Sequence, residues 1–163
     1  MNQLSFFERR DEPLSRVVWH LAVDGASRNN PGPAGAGLVI TKDKKPFLQK
    51  GFYLGVKTNN QAEYTALLLG FFFLEPIFDI MDELHIVSDS QLLVRQLNGT
   101  YKVREPKIVP LYLCARSFLQ KKNYILEHVM REHNARADKM ANDGINKKIE
   151  LPADFVHFCA RYQ

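Results

Sequence analysis

The chain has 163 residues, 45% of them hydrophobic and 25% charged, with a formal net charge of +4 and a pI of about 9.1. That length predicts one domain with a substantial core, and the composition is that of an ordinary globular protein rather than a disordered or fibrous one. The longest apolar run, residues 66–74, is too short to span a bilayer, and two distant cysteines without metal-ligand spacing, Cys114 and Cys159, predict reduced thiols rather than a disulfide framework.

Residues 1–16 are polar and charged around Phe6 and Phe7 and predict a loosely held extension. They have no apolar core of the signal-peptide kind, so a cytoplasmic location is expected. A β-rich run at 17–23 ends at Asp24. Residues 25–37 contain Pro31, Gly32, Pro33 and Gly35 and predict a turn. Strands are expected at 37–41 and 47–54, paired as a hairpin through 42–46. Residues 60–74 are long enough for a helix, and apolar enough all round to be buried against a sheet; Glu75-Pro76 stops them. A buried-type strand follows at 84–88, then a helix at 90–97 ended by Asn98-Gly99. Helical spacing at 107–122 puts Leu111, Leu113, Cys114 and Phe118 on a core face. A fifth strand is expected at 124–129. Asn134 opens a last helix with Ala137, Met140, Ala141 and Ile145 on one stripe. Residues 151–163 fit no predicted element. The expected organisation is an extension at 1–16, a domain at 17–148 and a tail at 149–163. Strands separated by helices after a hairpin predict an α/β domain, with a five-stranded mixed sheet flanked by helices.

Four carboxylates stand in distinctive contexts along this order. They are Asp24 in VDGASRNNPGPAGAG, Glu63 in TNNQAEYTALLLG, Asp89 in VSDSQLLVRQL and Asp138 in REHNARADKMAND. An acidic set with no Cys or His partners suits a hard divalent cation with oxygen ligands. If the first and fourth strands are parallel neighbours, Asp24 and Asp89 emerge together at the carboxyl edge of the sheet, where open α/β sheets place ligands. Glu63 and Asp138 are both expected in first helical turns, where the helix dipole favours an anion. Each has a plainer alternative: Glu63 in a capping box with Asn60, Asp89 capping the helix that starts at Ser90, Asp138 on a solvent face, Asp24 bonding within the turn.

These segments resemble type 1 ribonuclease H, especially its short bacterial and archaeal members. The resemblance rests on DGA-x₃-NPGPAGAG, TNNQAEY, SDSQLLVRQLNG followed by YKV, and N-x-x-AD-x-x-AN, in family order between residues 17 and 145. It implies the ribonuclease H-like fold and endonucleolytic hydrolysis of the RNA strand of an RNA–DNA hybrid. The reaction needs two Mg²⁺ ions, with Mn²⁺ as the alternative, and leaves 5′-phosphate and 3′-hydroxyl ends. It implies Asp24, Glu63, Asp89 and Asp138 as catalytic metal ligands. Asn30, Asn59, Asn60 and Gln91 match positions that contact the RNA strand; an amide can both donate to and accept from a 2′-hydroxyl. Thr58 matches a contact to a DNA phosphate.

Two departures from longer relatives stand out. The basic insertion after the second helix is missing, and Lys102, Arg104 and Lys107 are its partial substitute for gripping nucleic acid. The histidine before the last aspartate is matched by His133, in competition with His128, while His20 and His85 sit in strand patterns and are expected to be structural. The expected partner is an RNA–DNA hybrid, bound by a monomer without membrane contact. The rivals are a nuclease of the same superfamily that prefers double-stranded RNA, and a non-catalytic hybrid-binding module.

Overall fold

The computed structural model describes residues 16–163; the extension expected at 1–16 lies outside the described residues except for Arg16. Five strands form one sheet in the order β3-β2-β1-β4-β5, with β1 Val18–Ser27, β2 Gly32–Lys42, β3 Lys45–Lys57, β4 Glu83–Ser88 and β5 Asn123–His128. The first three strands are antiparallel, and β4 and β5 run parallel to β1.

The 25–37 segment is mostly strand, not turn. β1 continues through Ser27 and β2 begins at Gly32, so the connection between them is short. The glycines that suggested a turn have another use. A Cβ at Gly35 would lie 2.2 Å from the Ala141 carbonyl oxygen, and one at Gly37 would lie 2.1 Å from the Ala137 carbonyl oxygen. They let helix α4, Ala135–Lys147, rest on the strand backbone. The predicted hairpin is present with longer arms: Lys42 pairs Lys45, and Asp43 and Lys44 both adopt left-handed φ, the two-residue turn that matches strand twist.

α1, Asn59–Leu74, lies on the opposite face of the sheet from α4 and is covered in turn by α3, Val109–Leu119, and α5, Phe155–Arg161. Burial on both sides explains why α1 is apolar all round. Its Gly70 sits directly over Leu21. The short α2, Gln91–Leu97, packs against β4 and β5. α3 buries Cys114, Ala115 and Phe118, whereas Leu113, expected in the core, is 53% exposed. The tail forms α5, whose Phe155 and Phe158 meet Phe72 of α1 edge-on. His20 and His85, neighbours in the β1–β4 register, pack edge-to-face at 4.8 Å. No helix among the described residues is long and apolar enough to cross a membrane.

Candidate active site

The parallel pairing of β1 and β4 sets the first two acids. Val23 lies opposite Ser88 in the register, so Asp24 and Asp89 follow side by side at the carboxyl edge. Asp24 is only 5% exposed. Glu63 arrives from α1, whose first turn is held by a capping box. The Thr58 hydroxyl accepts from the Gln61 N–H at 3.2 Å, and the Gln61 side chain accepts from the Thr58 N–H at 2.9 Å. The box therefore uses Thr58 and Gln61, not Asn60 and Glu63, and Glu63 stands in the second turn rather than the first. Ser90 is the N-cap of α2, which leaves Asp89 free of capping.

Gly25 permits this approach. A Cβ there would lie 2.2 Å from both the Ala62 carbonyl carbon and the Glu63 nitrogen. Without one, α1 meets the end of β1 backbone to backbone, with the Gly25 N–H facing the Glu63 carboxylate. Oxygen atoms of Asp24, Glu63 and Asp89 lie within 4.8 Å of one another. Asp138, in the first turn of α4, lies beside this triad. It stands close enough to Asp24 to raise that carboxyl, and its Oδ1 is 3.5 Å from Arg131 Nη2. All four acids and Arg131 line one cleft of about 290 Å³.

So many negative groups in one place disfavour their own ionisation. Burial, followed by the charges of Asp89 and Asp138, pushes the Asp24 carboxyl up to about 8. Burial and the charges of Asp24 and Asp89 hold Glu63 well above the usual carboxylate range, against the lowering effect of the Gly25 N–H. Glu63 Oε2 is buried with no hydrogen-bond partner. A clustered, mutually repelling set of oxygens with one orphaned acceptor fits a hard divalent cation.

Comparison with known proteins gives this geometry its relatives. Residues 22–144 match the family described as reverse transcriptase-like. Ribonuclease HI of Halobacterium salinarum is 38% identical over 130 residues, covering 78% of this chain and 64% of that one. The bifunctional protein Rv2228c of Mycobacterium tuberculosis is 37% identical over 139 residues, covering 82% of this chain and 37% of that one. The crystal structure of LC11-RNase H1 in complex with an RNA/DNA hybrid aligns with a TM-score of 0.73 at 36% identity, over 79% of this chain and 97% of that one. The chain belongs to the type 1 ribonuclease H family. It spans less than two thirds of the length of the two curated relatives.

The remaining positions that resemble the ribonuclease H pattern fall into three groups. Asn59 lines the cleft on the α1 side, with Thr58 before it in the chain and Asn30 bonded to it, neither of them lining the cleft itself. Asn30 Oδ1 accepts from the Asn59 N–H at 2.9 Å, and Asn59 Oδ1 accepts from the Ser27 N–H at 2.8 Å. These bonds tie the end of β1 to the start of α1 and fix how each amide is turned. Asn60 is half-buried beside them, and Gln91 is exposed as the first residue of α2. Lys102, Arg104 and Lys107 are exposed in the connection between α2 and α3, and none of them lines the cleft. His133 lies on the 3-10 turn Arg131–His133 and lines a neighbouring groove with His20 and Arg136 rather than the carboxylate cleft. His128 bonds through Nε2 to the Asp89 backbone carbonyl at 3.2 Å.

Two side chains at the ribonuclease H cleft were not anticipated in these roles. Arg131 is 80% exposed and is the cation among the described residues lining the cleft; nothing in REHNARAD separates it from an ordinary surface arginine. Asn134 is expected as a helix cap but makes no capping bond. It is 2% exposed, and its Nδ2 donates to the Val23 carbonyl at 2.9 Å and to Asp89 Oδ1 at 3.5 Å. It joins the ends of β1 and β4 to the start of the helix that carries Asp138. An asparagine preceding a helix reads the same in sequence whether it caps or tethers.

Proposed function

We propose that this chain is a ribonuclease H that hydrolyses the RNA strand of RNA–DNA hybrids. The convergence of Asp24, Glu63 and Asp89 oxygens within 4.8 Å at the sheet edge carries the proposal. The family supports it, as does a relative whose structure is described as a complex with an RNA/DNA hybrid. The catalytic unit is assigned to 17–148, working as a cytoplasmic monomer.

Asp24, Glu63, Asp89 and Asp138 would hold two Mg²⁺ ions, with Mn²⁺ as the alternative. Such ions activate water and neutralise charge on the leaving oxygen of a phosphodiester. The protein supplies the rest. Gly25 and Asn134 hold the acids at fixed separations before substrate arrives. Arg131 offsets part of the negative field that would otherwise repel the phosphate. The Oδ1 atoms of Asn30 and Asn59 are taken by backbone N–H groups, so their amide N–H₂ groups are left to donate to the sugar oxygens of the RNA strand. Asn60 and Gln91 extend that row, while Thr58 is assigned to a phosphate of the DNA strand and Lys102, Arg104 and Lys107 to the outer phosphates. Water attacks the phosphorus in line and the RNA 3′-oxygen leaves, giving 5′-phosphate and 3′-hydroxyl ends. His133 is assigned an assisting role in proton movement, on the turn that also carries Arg131.

One gel tests the proposal. End-labelled hybrid, double-stranded RNA and RNA-primed DNA are each incubated with Mg²⁺, Mn²⁺ or chelator. Cleavage of the hybrid's RNA strand, lost with chelator, is expected. Preferential cleavage of double-stranded RNA would move the enzyme to the neighbouring specificity, and hybrid binding without cleavage under either metal would make it a binding module.

A further inference from the structure

Cys114 and Cys159 stand far apart in the sequence, yet the fold brings them together. Cys114 is buried on α3, and Cys159 is half-buried on α5. The Cys114 Sγ lies 3.9 Å from the Cys159 backbone carbonyl oxygen, to which its S–H donates, so the two cysteines are in direct contact. α5 is also held by Phe155 and Phe158 against Phe72 and by the Arg161–Glu75 ion pair. Cys159 is the accessible member. It lines an apolar groove of about 340 Å³ with Leu54, Phe155 and Val156, and Lys57 stands at the same groove.

We propose that Cys114 and Cys159 are a dithiol that low-molecular-weight disulfides close into a bond stapling α5 to α3. The groove admits a small disulfide to Cys159, and the Lys57 cation favours an anionic one such as glutathione disulfide. Cys114 is buried behind Cys159, and only Cys159 lines the groove, so Cys159 reacts first. The Cys159 thiolate attacks one sulfur of the small disulfide and expels one thiolate, leaving a mixed disulfide. That thiolate takes the Cys114 proton, and the Cys114 thiolate then attacks Cys159 Sγ and expels the second small thiolate, which takes back from solvent the proton that Cys159 released. Two protein thiols are oxidised, and one small disulfide is reduced to two thiols. The closed loop crosses a sequence separation of 45 residues, long enough for the bond to restrict the unfolded chain substantially.

The test uses the full chain, folded, with glutathione disulfide or with dithiothreitol. Peptide mapping without reductant should find Cys114 joined to Cys159 only in the oxidised sample. Oxidation should raise Tm by roughly 5–15 °C, and dithiothreitol should reverse the shift. Cys159→Ser, at the less buried position, should fold and show neither the linked peptide nor the shift. Persistence of free thiols in the folded, oxidised protein would overturn the proposal. So would a glutathione adduct that stays on Cys159, or a linked peptide without a rise in Tm.

Discussion

Asp24 is a buried acid pressed against Asp89 and Asp138, and this gives the metal-free protein a definite pH dependence. Its carboxyl is pushed up to about 8 in the fold, against about 3.9 in an unfolded chain. Between those values the folded state holds a proton that the unfolded state has released, so stability falls as pH rises. In chelator, Tm should therefore drop from pH 5 to pH 8. Divalent metal should restore it, more at pH 8 than at pH 5, with protons released on binding. Asp24→Asn should flatten the pH dependence, raise Tm at pH 8 and abolish cleavage; a variant that still cuts at saturating Mg²⁺ would remove Asp24 from the chemistry. Asn134→Ala should cost about 1–3 kcal/mol, the range for losing a buried hydrogen-bond partner, and should lower kcat more than it raises KM, because it loosens Asp89 against β1. Steady-state kinetics beside a denaturation curve checks both. The four carboxylates were legible in the sequence because an acid at the end of an apolar strand or near a helix start is conspicuous. Asn134 and Arg131 were not, because a tether resembles a cap, and an arginine's partner lies in three dimensions.

At the scale of elements, the approach of α1 to β1 depends on the missing side chain at Gly25. Gly25→Ala would set a methyl within bond-like distance of the Ala62–Glu63 backbone, and a helix cannot yield there as a side-chain tip could. Destabilisation of about 1–3 kcal/mol is expected, together with a loss of activity larger than the loss of folded protein, since Glu63 moves with the helix. Full turnover in Gly25→Ala would mean that the position of α1 does not matter to the site. The connection between α2 and α3 carries a separate expectation. Lys102→Ala and Arg104→Ala should each reduce the slope of log K against log salt by about one unit or less; unchanged slopes would make this a solvated face. The sequence announced the strands, the hairpin and the helices by their periods. It misled at 25–37 and at Leu113 for separate reasons. Glycines that seat a helix look like glycines that make a turn, and helical spacing identifies a stripe without saying how wide a neighbour covers it.

For the whole molecule, the aromatic layer between α1, α3 and α5 is the part least visible in the sequence, because a seven-residue helix is too short to show a period. Phe158 is fully buried against Phe72 and Phe118. Phe158→Ala should cost about 3–5 kcal/mol while leaving kcat at low temperature near that of the parent, since α5 lines none of the carboxylate cleft. A calorimetric scan paired with an assay well below Tm separates the two effects. The β1–β4 register also bears on how the site can evolve. Asp24 and Asp89 stand one residue beyond the Val23–Ser88 pair on hydrogen-bonded neighbouring strands, whose spacing is set at about 4.8 Å by the peptide group itself. Substitution elsewhere in either strand cannot widen that gap by a fraction of an ångström. A slip in register would move one acid by about 3.3 Å and dismantle the pair. In the proposed metal site, discrimination between ions of different radius would therefore be left to the two helix-borne acids, Glu63 and Asp138, whose supports can shift gradually; selection for a larger or smaller cation should leave its record in α1 and α4, with the strands unchanged.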